Sequence, residues 1–455
     1  MRFQRVAIAV LLTVSFCSNS SYAQTKDLTS EQKQLREIYQ ELVEINTTDS
    51  VGSCTTAVTA MAARLKAGGY SESEMQIIVP PGGPKKGNLV ARLKGSGESK
   101  PLLLLAHVDV VEAKRADWVR DPFKLIEEDG VFYARGASDD KAMAAVFVAN
   151  MIRYKREHLM AKRDIIMALT CDEEIVPSKF DGLDYLLKHH RNLIDAELAL
   201  NEGGSGLLDK NEKPVRHGIQ VGERVFQSYQ LEVTNPGGHS ARPTRDNAIY
   251  HLADGLSRLG KFDFPFMLSP TTRLFYERMS KIETGQTAAD MKAILRDPPD
   301  RDAMERLYTI SPEHNSTVRT TCVATMLDAG HATNALPQRA RAVVNCRILP
   351  GESVDAVRDT LVRVLADDKI KITPMGEAVL SPPPPMTPKL INAIEVISND
   401  MWPGVPVVPT MLVATTDGRF LNNAGIWTYG VSGMFAGAEG NGIHGPWIQP
   451  VDATT

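Results

Sequence analysis

Five short stretches carry the residue types that ligate metals and move protons: His107-Val108-Asp109, Ser138-Asp139-Asp140-Lys141, Asp172-Glu173-Glu174, Asn201-Glu202-Gly203-Gly204 and Gly442-Ile443-His444-Gly445. Singly, each has an ordinary explanation. A histidine near a strand end usually makes a structural hydrogen bond, and paired acids usually form a solvated surface. Their positions argue otherwise. The apolar run from Pro101 to Ala106 ends at His107, the run 164–170 ends at Cys171-Asp172-Glu173-Glu174, and 196–200 ends at Asn201-Glu202. Continuous apolar runs are strands buried on both faces. Open α/β sheets bind ligands beyond the carboxyl ends of such strands. Like charges gathered at one sheet edge repel unless something neutralises them. A pair of divalent cations would do so. Two histidines among several carboxylates suit Zn²⁺, which takes N and O ligands and keeps an open position in catalytic sites.

The elements that must hold these residues follow from periodicity. Residues 31–46, 55–67, 141–156 and 181–191 carry apolar positions at helical spacing, interleaved with the strand-like runs. That alternation predicts an α/β sheet. The pattern changes after about Gly222. Strand-like runs at 225–234, 320–327, 340–348 and 370–374 alternate with helices at 245–259 and 353–366. The order β-α-β-β-α-β is the ferredoxin-like split unit. Residues 261–320, rich in Met, Arg, Asp and Pro, read as an insertion within it. Alternation resumes over 387–430. The expected organisation is therefore a catalytic domain formed by 24–221 and 377–455, with a smaller lid domain at 222–376 inserted into it.

The 455 residues include 51 Lys+Arg and 55 Asp+Glu, a net charge of −4. So balanced a chain has no global field for nucleic acid or an anionic membrane. Arg2 and Arg5, the short apolar stretch Val6 to Phe16 and the small residues of Ser21-Tyr22-Ala23 read as a signal peptide, residues 1–23, cut after Ala23. The expected product is secreted or periplasmic, with no membrane association after cleavage. Cys54, Cys171, Cys322 and Cys346 are too few for a disulfide scaffold, and without a CxxC pair they suggest no thiolate zinc site. Cys322 and Cys346 lie equally far from Asn334, between two strand-like runs, where they could face each other across a hairpin.

The motifs LLLLAHVDVV, YARGASDDK, LTCDEE, ALNEGG, NPGGHSARP and HATNALP stand in this order along the chain. Over about residues 30–450 the sequence resembles the dinuclear zinc metallopeptidases that include glutamate carboxypeptidase, aminoacylase, bacterial dipeptidases and succinyl-diaminopimelate desuccinylase. The resemblance implies an α/β zinc-exopeptidase fold: a mixed central sheet flanked by helices, plus an inserted ferredoxin-like α+β lid. It implies two Zn²⁺ per chain, with Co²⁺ or Mn²⁺ as alternatives. His107 and Glu202 match the ligands of one metal, Glu174 and His444 those of the other, and Asp139 the carboxylate bridging both. Glu173 matches the general base, which takes a proton from the attacking water and delivers it to the leaving amine. Asp109 matches the carboxylate that orients the His107 imidazole.

In the lid, His239 resembles a histidine that donates to the tetrahedral oxyanion. Asn334 and Arg347 match positions that bind the substrate's carboxylate end, a task suited to the planar fork of Arg. Arg419, in Thr415-Thr416-Asp417-Gly418-Arg419, resembles a substrate-binding loop of the desuccinylase branch. One departure stands out. Relatives commonly follow the last ligand histidine with an Asn-Glu pair, where this chain has Gly445-Pro446-Trp447-Ile448. In relatives the lid often pairs with its twin, so a homodimer through the lid is one expected assembly. The function implied is an exported zinc exopeptidase, a carboxypeptidase or dipeptidase, cleaving an amide beside a free carboxylate in a small peptide. Deacylation of N-acyl amino acids uses the same ligands and is the alternative. A periplasmic solute-binding protein with two α/β lobes is the reading from another class, but it has no need of Glu173 beside a full ligand set.

Overall fold

The computed structural model describes residues 28–128, 131–175 and 178–437. The expected signal segment, residues 1–23, and His444 lie outside them. The first helix, Ser30–Glu44, starts at a capping box in which Thr29 and Gln32 satisfy each other's backbone N–H groups. The second, Cys54–Ala67, is capped by Ser53.

The larger sheet is mixed and ten-stranded. At its centre the strand Leu102–His107 lies parallel between Ile165–Thr170 and Leu198–Asn201. All six residues of Ile165–Thr170 are buried, as a strand covered on both faces requires. Helices Ser30–Glu44, Cys54–Ala67 and Lys141–Arg156 cover one face, packing Leu42, Met61, Val148 and Met151 against Leu104 and Met167. On the other face Leu183, Leu186 and Leu421 meet Leu103, Leu105 and Ile166. Beyond Leu198–Asn201 the sheet continues through Trp427–Gly430 to Pro214–Glu223, which pairs in parallel with Val407–Leu412. The return of the chain to the first sheet is therefore observed.

The smaller sheet is antiparallel, in the order Thr321–Ala329, Arg339–Ile348, Val225–Thr234, Lys371–Met375. Helices Ala248–Leu259 and Val354–Leu365 pack on it through Leu252, Leu259, Val357 and Leu361. Two crossings join the sheets. At the first, buried Glu223 accepts hydrogen bonds from Ser381 Oγ at 2.8 Å, Thr416 N at 2.6 Å and Thr416 Oγ1 at 3.0 Å. It thereby ties the outgoing strand to the returning segment and to the turn that leads into the helix Gly418–Asn423, which carries Arg419.

The insertion forms four helices, Pro270–Ile282, Gly285–Ala293, Arg301–Ile310 and Pro312–Val318. They share a core of Tyr276, Met291, Ile294 and Leu307 that extends to Val408 of the larger sheet. Arg278 Nη1 donates to Glu395 at 2.8 Å, and Thr271 Oγ1 to the Val221 carbonyl at 3.1 Å. The insertion thus docks on the larger sheet.

All four cysteines of the described residues are paired. Cys322 and Cys346 are opposed in register on neighbouring strands and bonded. Cys54 and Cys171, 117 residues apart, join the start of the second helix to the residue after Ile165–Thr170. Among the described residues no helix is long and apolar enough to cross a membrane.

Candidate metal centre

His107 is the last residue of its strand and is buried. Its Nδ1 lies 3.1 Å from the backbone oxygen of Asp109. A carbonyl only accepts, so Nδ1 carries the proton and Nε2 presents a lone pair. Nε2 faces Asp139 Oδ1 at 2.9 Å. A lone pair facing a carboxylate calls for a cation between them or a proton on the ring. Burial opposes a charge on His107, but Asp109 and Asp139 overcome it and hold the pKa well above the usual range.

Glu202 joins from the end of Leu198–Asn201. Ligand atoms of His107, Asp139 and Glu202 all lie within 4.8 Å of one another. The turn after Glu202 requires glycine: Gly203 has φ +91°, and an added Cβ would fall 1.8 Å from Gln220 Oε1.

Glu173 and Glu174 follow the strand Ile165–Thr170. Asp109 positions both, its Oδ1 accepting from Glu173 N at 3.2 Å and its Oδ2 from Glu174 N at 3.0 Å. Its carboxylate also lies 3.5 Å from His107 Nδ1. The residue expected to orient one imidazole therefore also grips the backbone of the neighbouring acid loop. On the loop's other side Asp172 is held by Lys86 Nζ at 2.6 Å and Ser178 Oγ at 2.7 Å.

The electrostatics are those of crowded acids. Burial, then Glu202, raises the Glu173 pKa well above its ordinary value. Burial, opposed by His107 and aided by Asp139 and Asp140, does the same to Glu202. Burial and Asp139 push Glu174 up to about 7. Two further acids belong here, Asp140 and Asp417. Asp140 Oδ2 and Asp417 Oδ1 are buried without a hydrogen-bond partner among the described residues. Asp417 lies in the loop singled out only for Arg419, so its neighbourhood was legible in the sequence but its own place was not. One imidazole nitrogen, several carboxylates and orphaned carboxylate oxygens together fit a divalent metal.

Arg419 is buried, with Nη1 4.0 Å from Glu173 Oε1 and Nη2 3.9 Å from Asp181 Oδ2. It lines a cleft of about 560 Å³ between the two sheets. Arg347 lines the same cleft from the smaller sheet, its guanidinium 4.8 Å from the Phe226 ring centre. Two of the three residues expected to bind substrate are thus brought together. His239 and Asn334 lie elsewhere. His239 sits on a two-residue ladder, Gly238–His239 against Ala335–Leu336, and Ser240 N donates to the Asn334 backbone oxygen at 3.1 Å. Both residues are exposed.

The sequence matches the profile of peptidase family M20/M25/M40 over residues 103–449. It is 29% identical over 343 residues to a probable carboxypeptidase S-like 2 of Dictyostelium discoideum, covering 73% of this chain and 64% of that protein. It is equally 29% identical over 345 residues to the N-fatty-acyl-amino acid synthase/hydrolase PM20D1 of Mus musculus, covering 73% and 66%. The chain therefore spans slightly less than two thirds of the length of these relatives. An M20 family metallo-carboxypeptidase from Sulfolobus solfataricus superposes with a TM-score of 0.64 at 18% identity, over 89% of this chain and 91% of that one. A dinuclear metal-binding M20 peptidase from Bacillus subtilis gives 0.56 at 13% identity, over 92% of each chain. These two share the fold.

Proposed function

The chain belongs to peptidase family M20/M25/M40, and from that premise we propose a metallohydrolase of amide or peptide bonds, an exported exopeptidase that cleaves an amide beside a free carboxylate. The observation that carries this reading is the convergence of His107, Asp139 and Glu202 beside Glu173, with Arg419 linking Glu173 to a cleft that Arg347 also lines. Membership sets aside the solute-binding alternative.

In this proposal His107 and Glu202 would hold one Zn²⁺, Glu174 and His444 would hold a second, and Asp139 would serve both. Bound divalent metals supply Lewis-acid polarisation of the scissile carbonyl and lower the pKa of water. Glu173, largely buried, accepts a proton from the attacking water and returns it to the leaving nitrogen. Arg347 and Arg419 hold the substrate carboxylate. A second reading, deacylation of N-acyl amino acids, draws support from the PM20D1 relatives and from the apolar Ile175, Phe226, Val379 and Phe420 in the cleft wall. We also infer a homodimer formed through the edge strand Thr321–Ala329. There Val323, Met326 and Leu327 are exposed, and in this reading the dimer carries His239 and Asn334 of one subunit to the partner's cleft.

Glu173→Ala is expected to lower amide hydrolysis by roughly 10²–10⁴-fold with metal content unchanged, while His107→Ala loses metal. Full activity in Glu173→Ala would overturn the base assignment. Amine release from a panel of dipeptides and N-acyl amino acids separates the two substrate readings. An N-terminus starting at Gln24 on the exported protein checks the signal cleavage.

A further inference from the structure

A second chamber, of about 280 Å³, lies between the inserted helices and the strand Pro214–Glu223, and it shares no lining residue with the substrate cleft. Arg216 lines it from the strand. The Nε and Nη1 of its guanidinium are buried and have no hydrogen-bond partner among the described residues. Gly218 makes room for this group: a Cβ there would sit 2.9 Å from Nη1. Burial opposes the charge of Arg216, while Glu313 and Glu283, also in the chamber wall, favour it. Neither acid forms an ion pair with Arg216. The rest of the wall includes Phe275, Met279 and Met291, and methionine adapts to varied apolar shapes.

Guanidinium donors left buried without acceptors are costly, and a ligand carboxylate can pair with this guanidinium along one of its edges. A plain carboxylate would supply them but would face Glu283 and Glu313 with nothing to offset their charge. A plain amine would leave the guanidinium unpaired. We propose that this chamber binds a free α-amino acid with an apolar side chain, its carboxylate on Arg216, its ammonium toward Glu283 and Glu313, and its side chain among Phe275, Met279 and Met291. The volume falls just below the usual range for ligand pockets, about 300 Å³ and upward, which suits a single amino acid. Free amino acids are also a product class of the proposed hydrolysis, so the chamber is a second place where product meets the protein. The binding does not rest on that reaction.

Calorimetric titration of the metal-loaded protein with L-leucine, 4-methylpentanoate and 3-methylbutylamine tests this. Leucine is expected to bind saturably, and each analogue, lacking one charged group, at least about tenfold more weakly. Variants separate the chamber from the active site. Leucine binding persists in His107→Ala, is lost in Arg216→Met and is weakened in Glu283→Gln, while Arg216→Met keeps its hydrolytic activity within a few-fold. If Arg216→Met does not fold, Glu283→Gln and the two analogues decide. The proposal is overturned if leucine, methionine and phenylalanine all fail to bind. It is equally overturned if binding is lost in His107→Ala but intact in Arg216→Met, or if 4-methylpentanoate binds as well as leucine.

Discussion

Asp109 shows how much one side chain can organise. Its two carboxylate oxygens accept the backbone N–H groups of Glu173 and Glu174, and its own carbonyl fixes the tautomer of His107. Asp109→Ala is expected to weaken metal binding by about 10–100-fold, the usual cost of losing such a partner, as read by competition with a chelator; Asp109→Asn, which keeps one acceptor oxygen, falls between. The sequence motif suggested the link to His107 because the two residues are neighbours. The grip on the acid loop was not legible, since it depends on two strands 64 residues apart ending side by side. The crowded acids also predict a pH dependence. Glu174 is pushed up to about 7 and Asp417 to about 6, both chiefly by burial. The folded, metal-stripped protein therefore holds protons that the unfolded chain releases, and its stability falls as pH rises from about 4 to about 7. Metal that replaces those protons flattens the slope. Thermal midpoints against pH, with and without chelator, check this, and equal slopes would contradict it.

At the scale of elements, the continuous apolar runs identified the strands that end at the site, and alternation identified those of the smaller sheet. The strand Pro214–Glu223 escaped because Arg216, His217, Gly218 and Gly222 interrupt its apolar pattern, although it is buried along most of its length. His217 is satisfied inside the fold by the Ser432 carbonyl at 2.7 Å, which the sequence does not announce. The Cys54–Cys171 bond was likewise hidden by its long separation. It anchors the residue directly before Asp172-Glu173-Glu174 to the second helix. Replacing both cysteines by serine is expected to cost about 2–4 kcal/mol of stability, measured by urea unfolding. Activity should fall further than in the matching Cys322→Ser and Cys346→Ser double variant, whose bond lies within the smaller sheet.

Across the whole molecule, the two-sheet plan was readable from the switch in pattern near Gly222, whereas the resting place of the insertion was not. Its helices follow the first helix of the smaller sheet in sequence yet pack on the larger one, a long-range choice set by surfaces such as Val408 that no local pattern encodes. The proposed dimer makes a prediction at this scale. Met326→Glu with Leu327→Glu on the exposed edge strand should halve the mass measured by light scattering and lower hydrolysis by removing His239 and Asn334 from the partner's cleft. An unchanged mass would contradict the interface. The docking of the insertion also has a mechanical meaning. A lid joined to its base by two crossings can swing about them as a door does. Here helices 270–318 grip the base through Arg278 and Thr271 as a third attachment, while Phe264 before them and Thr320 after them stay held to the smaller sheet, so the few residues between these anchors limit how far the cleft can open.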